Sequence, residues 1–258
     1  MITAKQLAKQ FIAKGCSPAL QQRLRQFHAI YQIRHNRHFR EPEMTLIKSL
    51  VAKGDVAADV GANVGVYTAE LSLAVGAQGK VFSFEPAKEN YDILTMLVGK
   101  AGLDNVTPFR FALGSSSTQC EIVIPEMDGF TGYYWVHVAR PEDQGRREVV
   151  KMVTLDELHK SLAIDHLDFV KCDVEGAELQ VLQGGLETIR LHKPGFLMEV
   201  SRDTSEGVFK ILHDLGYEAF VFDGRLIRTE KYKDREYSNY FFLHPSSACW
   251  QRALSHFS

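Results

Sequence analysis

Val56-Ala57-Ala58-Asp59-Val60-Gly61-Ala62-Asn63-Val64-Gly65-Val66-Tyr67-Thr68 decides how this 258-residue chain reads. An apolar run ends in an acid, and two glycines then open an amphipathic helix. Strand, tight glycine turn and helix start, in that order, form a nucleotide-cofactor cradle in open α/β sheets. Glycine lets the backbone approach a ligand closely, and a helix start offers unpaired N–H groups to a carboxylate or phosphate. Further on, Val81-Phe82-Ser83-Phe84-Glu85-Pro86 repeats the format: an apolar strand ends in an acid suited to gripping a ribose diol.

Outward from this point, strands and helices alternate. The spacing predicts a strand over 55–60, a helix over 66–74 and a strand over 81–85. A helix with Tyr91, Leu94, Val98 and Ala101 on one face follows, closed by Gly102, and then a strand over 106–113. The alternation breaks at Gly114, where short antiparallel strands over 120–124 and 148–153 flank a loop rich in Gly, Tyr and Trp. It resumes with a helix near 155–162, a strand over 168–174, and a helix carrying Leu179, Leu182, Leu186 and Ile189 in register. A strand over 196–200 and a helix ending at Gly216 come next. Segments 217–222 and 239–243, with a turn at Asp223-Gly224, read as strands finishing in an antiparallel pair. Residues 1–50 read as a helical extension. In it Leu20, Leu24, Phe27 and Tyr31 keep helical spacing beside a basic face of Arg23, Arg25, Arg34, Arg37 and Arg40 with His28, His35 and His38. A short helix over 44–52 stops at Gly54. The expected fold is α/β: a parallel, doubly wound sheet over 51–258 with helices on both faces and a β insertion near 114–154.

At 45% hydrophobic and 24% charged residues the chain can bury one sizeable core. A net charge of −2 gives no general attraction to nucleic acid or an anionic membrane. Cys16, Cys120, Cys172 and Cys249 lie far apart without a CxxC pair, which favours a reducing compartment. With no signal-peptide core or membrane-spanning run, a cytoplasmic protein without stable membrane insertion is expected.

The glycine loop narrows the cofactor. A dinucleotide typically uses G-x-G-x-x-G, whereas this chain has Gly61-x-x-x-Gly65 with Asn63 where the middle glycine would fall. A side chain there reduces the room for a pyrophosphate. From Asp59 to Glu70 there is no Lys or Arg, which suits the sulfonium of S-adenosylmethionine. Asp59 and Glu85 stand at adjacent strand ends, where an amine and a ribose would sit. The spacing to Glu85 alone does not discriminate, because dinucleotide folds also place an acid ~20 residues past their glycines. The residues favour S-adenosylmethionine, with an NAD(P)-dependent oxidoreductase and a non-catalytic cofactor-binding module as the alternatives.

Residues 59–68 (DVGANVGVYT), 84–86 (FEP), 112–114 (ALG), 153–158 (VTLDEL) and 169–178 (FVKCDVEGAE) occur in that order. With them the chain resembles the FkbM family of S-adenosylmethionine-dependent methyltransferases over roughly 41–245. The resemblance implies a class I methyltransferase fold, Rossmann-like, with a seven-stranded sheet whose last strand is antiparallel. It also implies methylation of hydroxyl oxygens on sugars, polyketides or other small metabolites. Carried over by motif, Asp59, Gly61, Asn63, Gly65, Tyr67 and Thr68 would surround the methionine part of the cofactor. Glu85, with Pro86, would hold the ribose, and Ala112 and Leu113 would pack near the adenine. Cys172 stands where the family often has Ile, and residues 1–40 match no motif, which leaves the acceptor open.

Methyl transfer from sulfur to an alcohol needs proximity and a base. Asp173 and Glu175 are the candidates, two residues apart at a strand end and so expected on one side. The bland reading of both is helix capping, which is the default for Glu178. Glu199, ending the next strand, is a candidate for binding substrate hydroxyls. In the aromatic insertion, His137 is an alternative base and Trp135 a candidate stacking surface for the acceptor, against the simpler reading of a hairpin packed on the sheet. No third ligand at diagnostic spacing joins the Asp–Glu pair, so no metal is expected. The basic stretch 34–40 reads as a solvated helix face or an oligomer contact, with an acidic acceptor as the sharper alternative. The resemblance further implies that Glu41 and Pro42 edge the mouth of the site.

Overall fold

The computed structural model describes Leu20, Arg23, Leu24, Phe27 and Tyr31, then residues 41–127, 130–131, 135–234 and 236–258. Leu20, Leu24, Phe27 and Tyr31 are helical and exposed. The rest of the expected basic face, from Arg25 to Arg40, lies outside the described residues, as do Tyr133 and Tyr134 of the insertion.

In chain order come α1 (Pro42–Leu50), β1 (Val56–Val60), α2 (Val66–Val75), β2 (Lys80–Phe84), α3 (Lys88–Ala101), β3 (Val106–Phe109) and β4 (Ala112–Leu113). The insertion holds β5 (Thr118–Ile124), β6 (Glu126–Met127), β7 (Phe130–Thr131), β8 (His137–Val138) and β9 (Arg146–Val153). The second half has α4 (Leu155–Ser161), β10 (Phe169–Cys172), α5 (Glu178–Gln183), α6 (Leu186–His192), β11 (Gly195–Glu199) and α7 (Arg202–Asp214). It ends with β12 (Glu218–Phe222), β13 (Leu226–Thr229), β14 (Asn239–Leu243) and α8 (Ala248–Ala253).

The main sheet runs β13-β12-β14-β11-β10-β1-β2-β3. Strands β11, β10, β1, β2 and β3 are parallel, and β14 enters antiparallel between β11 and β12. The order reverses between β1 and β10, and ligands bind at the carboxyl ends of strands beside such a switch point. Among the described residues the main sheet has eight strands where seven were expected. The expected antiparallel pair of 217–222 with 239–243 forms as β12 and β14, and the turn at Asp223-Gly224 leads into β13, an extra edge strand antiparallel to β12.

Both faces of the sheet are covered. Val56, Ala58 and Val60 of β1 belong to a core that includes Leu155 and Leu158 of α4, Leu182 of α5, Ile189 of α6 and Leu212 of α7. Ala57 turns to the other face, where Leu46 and Ile47 of α1, Leu71 of α2 and Cys249 of α8 pack. Asp59 must therefore point toward α1 and α2, as alternation along a strand requires.

Two expected elements are each divided. The strand over 106–113 breaks at Arg110 and Phe111: β3 finishes the main sheet, while β4 pairs with β9 in a second sheet ordered β4-β9-β5-β8. The single helix over 179–189 is two, separated at Gly184 and Gly185. There the backbone presses on the start of the insertion, and a β-carbon on Gly184 would stand 2.0 Å from the Gly114 carbonyl oxygen. The apolar register crosses the break because α5 and α6 face one core.

Candidate active site

A cleft of about 610 Å3 of non-atom space, open mouth included, lies at the carboxyl edge of the sheet. Of the expected residues, Gly61, Asn63, Glu85, Pro86, Ala112, Leu113, His137, Asp173 and Glu175 line it. Asp59, Gly65, Tyr67, Thr68, Glu199 and Trp135 do not. Trp135 sits on the surface, 51% exposed.

The two strand-end motifs meet. Glu85 is buried, and its Oε2 accepts from the Asn63 N–H at 2.8 Å while Oε1 accepts from the Ala87 N–H at 2.9 Å. Burial lifts its carboxyl to about 7, against the pull of those N–H groups and Asn90. A carboxylate has roughly four lone-pair sites, and with Asn63, Ala87 and Asn90 on three of them about one remains for a ligand hydroxyl. Gly61 (φ 78°) touches β10: a β-carbon there would lie 1.8 Å from the Asp173 carbonyl oxygen. The Gly61 and Ala62 N–H groups are taken by the Phe84 carbonyl, at 3.0 and 2.9 Å. They tie the loop to β2 rather than to a ligand.

Asp59 stands behind this wall, fully buried. Its Oδ2 accepts from Thr68 Oγ1 at 2.6 Å, and Thr68 reaches Ser83 at 3.0 Å. Burial raises the Asp59 carboxyl, with Lys171 opposing. Oδ1 of Asp59 and Oδ1 of Asn63 are shut from solvent with no hydrogen-bond partner. The Asn63 oxygen is an unmet acceptor in the cleft wall.

Opposite, β10 delivers the acids. Alternation does not carry from Asp173 to Glu175, because the strand ends at Cys172 and Glu175 is left-handed (φ 51°), followed by Gly176 at 98°. A left-handed non-glycine residue stores about 1–3 kcal/mol, and such strain gathers at functional sites. The residues that do share a face are Lys171 and Asp173, with Lys171 Nζ 3.0 Å from Asp173 Oδ2. Burial, then Asp173 and Glu178, push Glu175 up to about 7. Burial, then Asp173 and Glu175, push Glu199 to about 8. Glu178 turns back, accepting from the Gly176 N–H at 2.9 Å and from Thr204 Oγ1 at 3.0 Å. Instead of capping free N–H groups of α5, as expected, it ties the preceding turn to α7, and α5 has no side-chain cap hydrogen bond.

At the mouth, His137 is held at both nitrogens: Nδ1 lies 2.8 Å from the Trp135 carbonyl oxygen and Nε2 2.9 Å from Asp143 Oδ2. A β-carbon on Gly176 would be 3.2 Å from Arg140 Nη2, so this guanidinium overlies the Glu175–Gly176 turn. Glu41 accepts from the Tyr67 hydroxyl and from Asn239 Nδ2 (3.2 Å), fixing it to the same edge. Among the described residues no three potential metal ligands come together.

Sequence reasoning missed Lys171, Asn90, Phe111 and Arg140. Phe111 and Asn90 line the cleft, and Phe111 stacks with Phe84 and Phe109 at 5.7 and 5.2 Å between centroids. The scan for cations stopped at Glu70, whereas pairing of β1 with β10 sets Lys171 directly opposite Asp59.

Residues 59–219 match the Methyltransferase FkbM domain. The chain belongs to the FkbM methyltransferase family, whose members depend on S-adenosylmethionine. A hexuronic acid methyltransferase, AglP, from Haloferax volcanii is 34% identical over 130 residues, 50% of this chain and 49% of that protein. The chain thus spans about half the length of this relative. The crystal structure of methyltransferase FkbM from Methylobacillus flagellatus KT superposes with a TM-score of 0.51 at 17% identity. That match covers 91% of this chain and 57% of the other, and it establishes a common fold. Among the described residues, no helix is long and apolar enough to cross a membrane.

Proposed function

We propose that this chain is an S-adenosylmethionine-dependent O-methyltransferase acting on a hydroxyl of a sugar-like acceptor. The observation that carries the reading is the joint made by Asn63 and Glu85, which opens into the same cleft as Asp173. The residues present fit the cofactor: Glu85 retains a lone-pair site for a ribose hydroxyl, and Asn63 Oδ1 is a buried acceptor awaiting a donor. The wall of Phe84, Phe111, Leu113 and Ile122 suits an adenine ring.

Bound S-adenosylmethionine supplies an electrophilic methyl group and keeps both electrons of the broken carbon–sulfur bond on sulfur. The chain does the rest. Asp173 takes the hydroxyl proton as the new carbon–oxygen bond forms, a contribution of ~10²–10⁴ in rate for such a base. Holding the acceptor oxygen in line supplies several kcal/mol more. Glu175 borders the same space and binds acceptor hydroxyls. Arg140, over the Glu175–Gly176 turn, offers a counter-charge to an acidic acceptor, which suits a hexuronic acid, the substrate class named for the Haloferax volcanii relative.

Calorimetry and melting curves test the cofactor: S-adenosylhomocysteine should bind and raise the melting temperature, while NAD(H) should do neither. The reverse result would favour the oxidoreductase. Mass spectrometry over a panel of hexuronic acids, neutral hexoses and polyketide alcohols then tests the acceptor through gain of one methylene. Cofactor binding with no turnover on any acceptor would favour a non-catalytic module.

A further inference from the structure

Among the described residues, Lys171 is the buried cation, 5% exposed, on a strand that is otherwise apolar up to Cys172. An ammonium taken out of water costs several kcal/mol unless it is paired and hydrogen-bonded. Lys171 has three such supports. Its Nζ lies 3.0 Å from Asp173 Oδ2, it faces Asp59 across the β1–β10 ladder, and it sits 4.9 Å over the Tyr67 ring. Alternation puts Lys171, Asp173 and Glu199 on the α1–α2 side of the sheet, the side Asp59 faces.

Four other acids crowd Asp173, the partner of this ammonium. Asp59 faces Asp173 from β1, Glu175 and Glu178 from the turn and helix that follow, and Glu199 from β11, with the Tyr67 hydroxyl above from α2. We propose that Lys171 is a positioning residue for methyl transfer: through its bond to Oδ2 it fixes the orientation of the Asp173 carboxylate at the cleft, aimed to receive the acceptor's proton. Lys171 is not itself the base. Burial works against its charge, but Asp173 and Asp59 outweigh it and hold the ammonium above the ordinary lysine range, so it has no lone pair to offer. This inference rests on the O-methyltransferase reading.

The test compares the wild type with Lys171→Met, Lys171→Arg, Asp173→Asn and the Lys171→Met/Asp173→Asn double variant. The readouts are S-adenosylhomocysteine affinity, the pH profile of kcat on glucuronic acid or another acceptor that turns over, and the carboxyl carbon-13 titration of Asp173. Lys171→Met should bind S-adenosylhomocysteine within about threefold of wild type and lose ~10² in kcat at pH 7, with little change in KM. The acid limb of its kcat profile should move to higher pH, because a carboxylate that loses an adjacent cation is harder to ionise, a change that lost packing alone would not produce. Lys171→Arg should restore more turnover than Met, and the double variant should be no worse than Asp173→Asn. If Lys171→Met does not fold, Lys171→Gln replaces it, keeping a donor without the charge. A uniform loss with an unmoved pH limb, an unmoved carboxyl titration, or additive losses in the double variant would overturn the proposal. A wild type that neither binds S-adenosylhomocysteine nor methylates overturns the underlying reading instead.

Discussion

The Asn63 N–H donates to Oε2 of Glu85 at 2.8 Å, so the glycine loop after β1 and the acid after β2 form one unit. Removing the carboxylate should loosen the loop and remove the ribose grip together. Glu85→Ala and Glu85→Gln should each weaken S-adenosylhomocysteine binding about 10–100-fold, the loss of one charged hydrogen-bonding group. Because the Glu85 carboxyl sits at about 7, wild-type affinity should climb as pH rises from 6 to 8 and then level. Calorimetry across that range should find the climb absent in Glu85→Gln.

Gly61→Ala should lower stability and cofactor binding at once. Its φ of 78° alone costs an alanine about 1–2 kcal/mol, and the 1.8 Å approach to the Asp173 carbonyl adds displacement of β1 from β10. Urea unfolding of the variant should show the unfolding free energy in water falling by at least the first amount.

Stability should fall as pH rises from about 4.5 toward 8. Glu85 and Glu175 at about 7 and Glu199 at about 8 stay protonated in the folded chain after they have ionised in the unfolded one. The folded state then binds more protons, so each group's stabilising effect is whole below 4.5 and is withdrawn by up to about 1.4 kcal/mol per pH unit until its folded pKa is passed. Glu199→Gln should flatten the upper part of this decline in pH-dependent denaturation.

His137→Ala should cost less than tenfold in kcat, since both ring nitrogens are engaged by Trp135 and Asp143. Asp173→Asn should cost ~10² or more with cofactor affinity kept. Equal losses in the two variants would return His137 to candidacy as the base.

Arg140→Ala should raise KM about tenfold for a hexuronic acid and leave a neutral hexose unaffected, as loss of a charge-assisted contact predicts. Initial rates on matched uronic acid and hexose acceptors measure this. An equal effect on both would remove Arg140 from acceptor recognition.

The alternating core and the glycine loop were legible because period, turn residue and terminal acid agreed at each βα junction. What hid were features that only tertiary pairing creates. Phe109 to Leu113 reads as one strand, since no Gly or Pro marks the place where the chain leaves one sheet for another. Leu182 and Leu186 stay in helical register across Gly184 because both helices cover one core, which masked the break. Lys171 stands alone among apolar neighbours in its strand, and nothing in the sequence shows that Asp59 faces it. Its two-residue spacing to Asp173 was the available signal, and the expected Asp173–Glu175 pairing drew attention away from it. The second of those acids turns left-handed, which no alternation rule anticipates.

Glu41, tied to Tyr67 and Asn239, fastens the start of the described domain beside the reacting groups, 198 positions in sequence from one of its two anchors. Under the proposed function, Glu41 thus borders the doorway for the acceptor, while the nucleotide's seat is built from later, interior strands. Ancestral tinkering with the entering segment could retune what is methylated and leave the methyl donor's berth untouched.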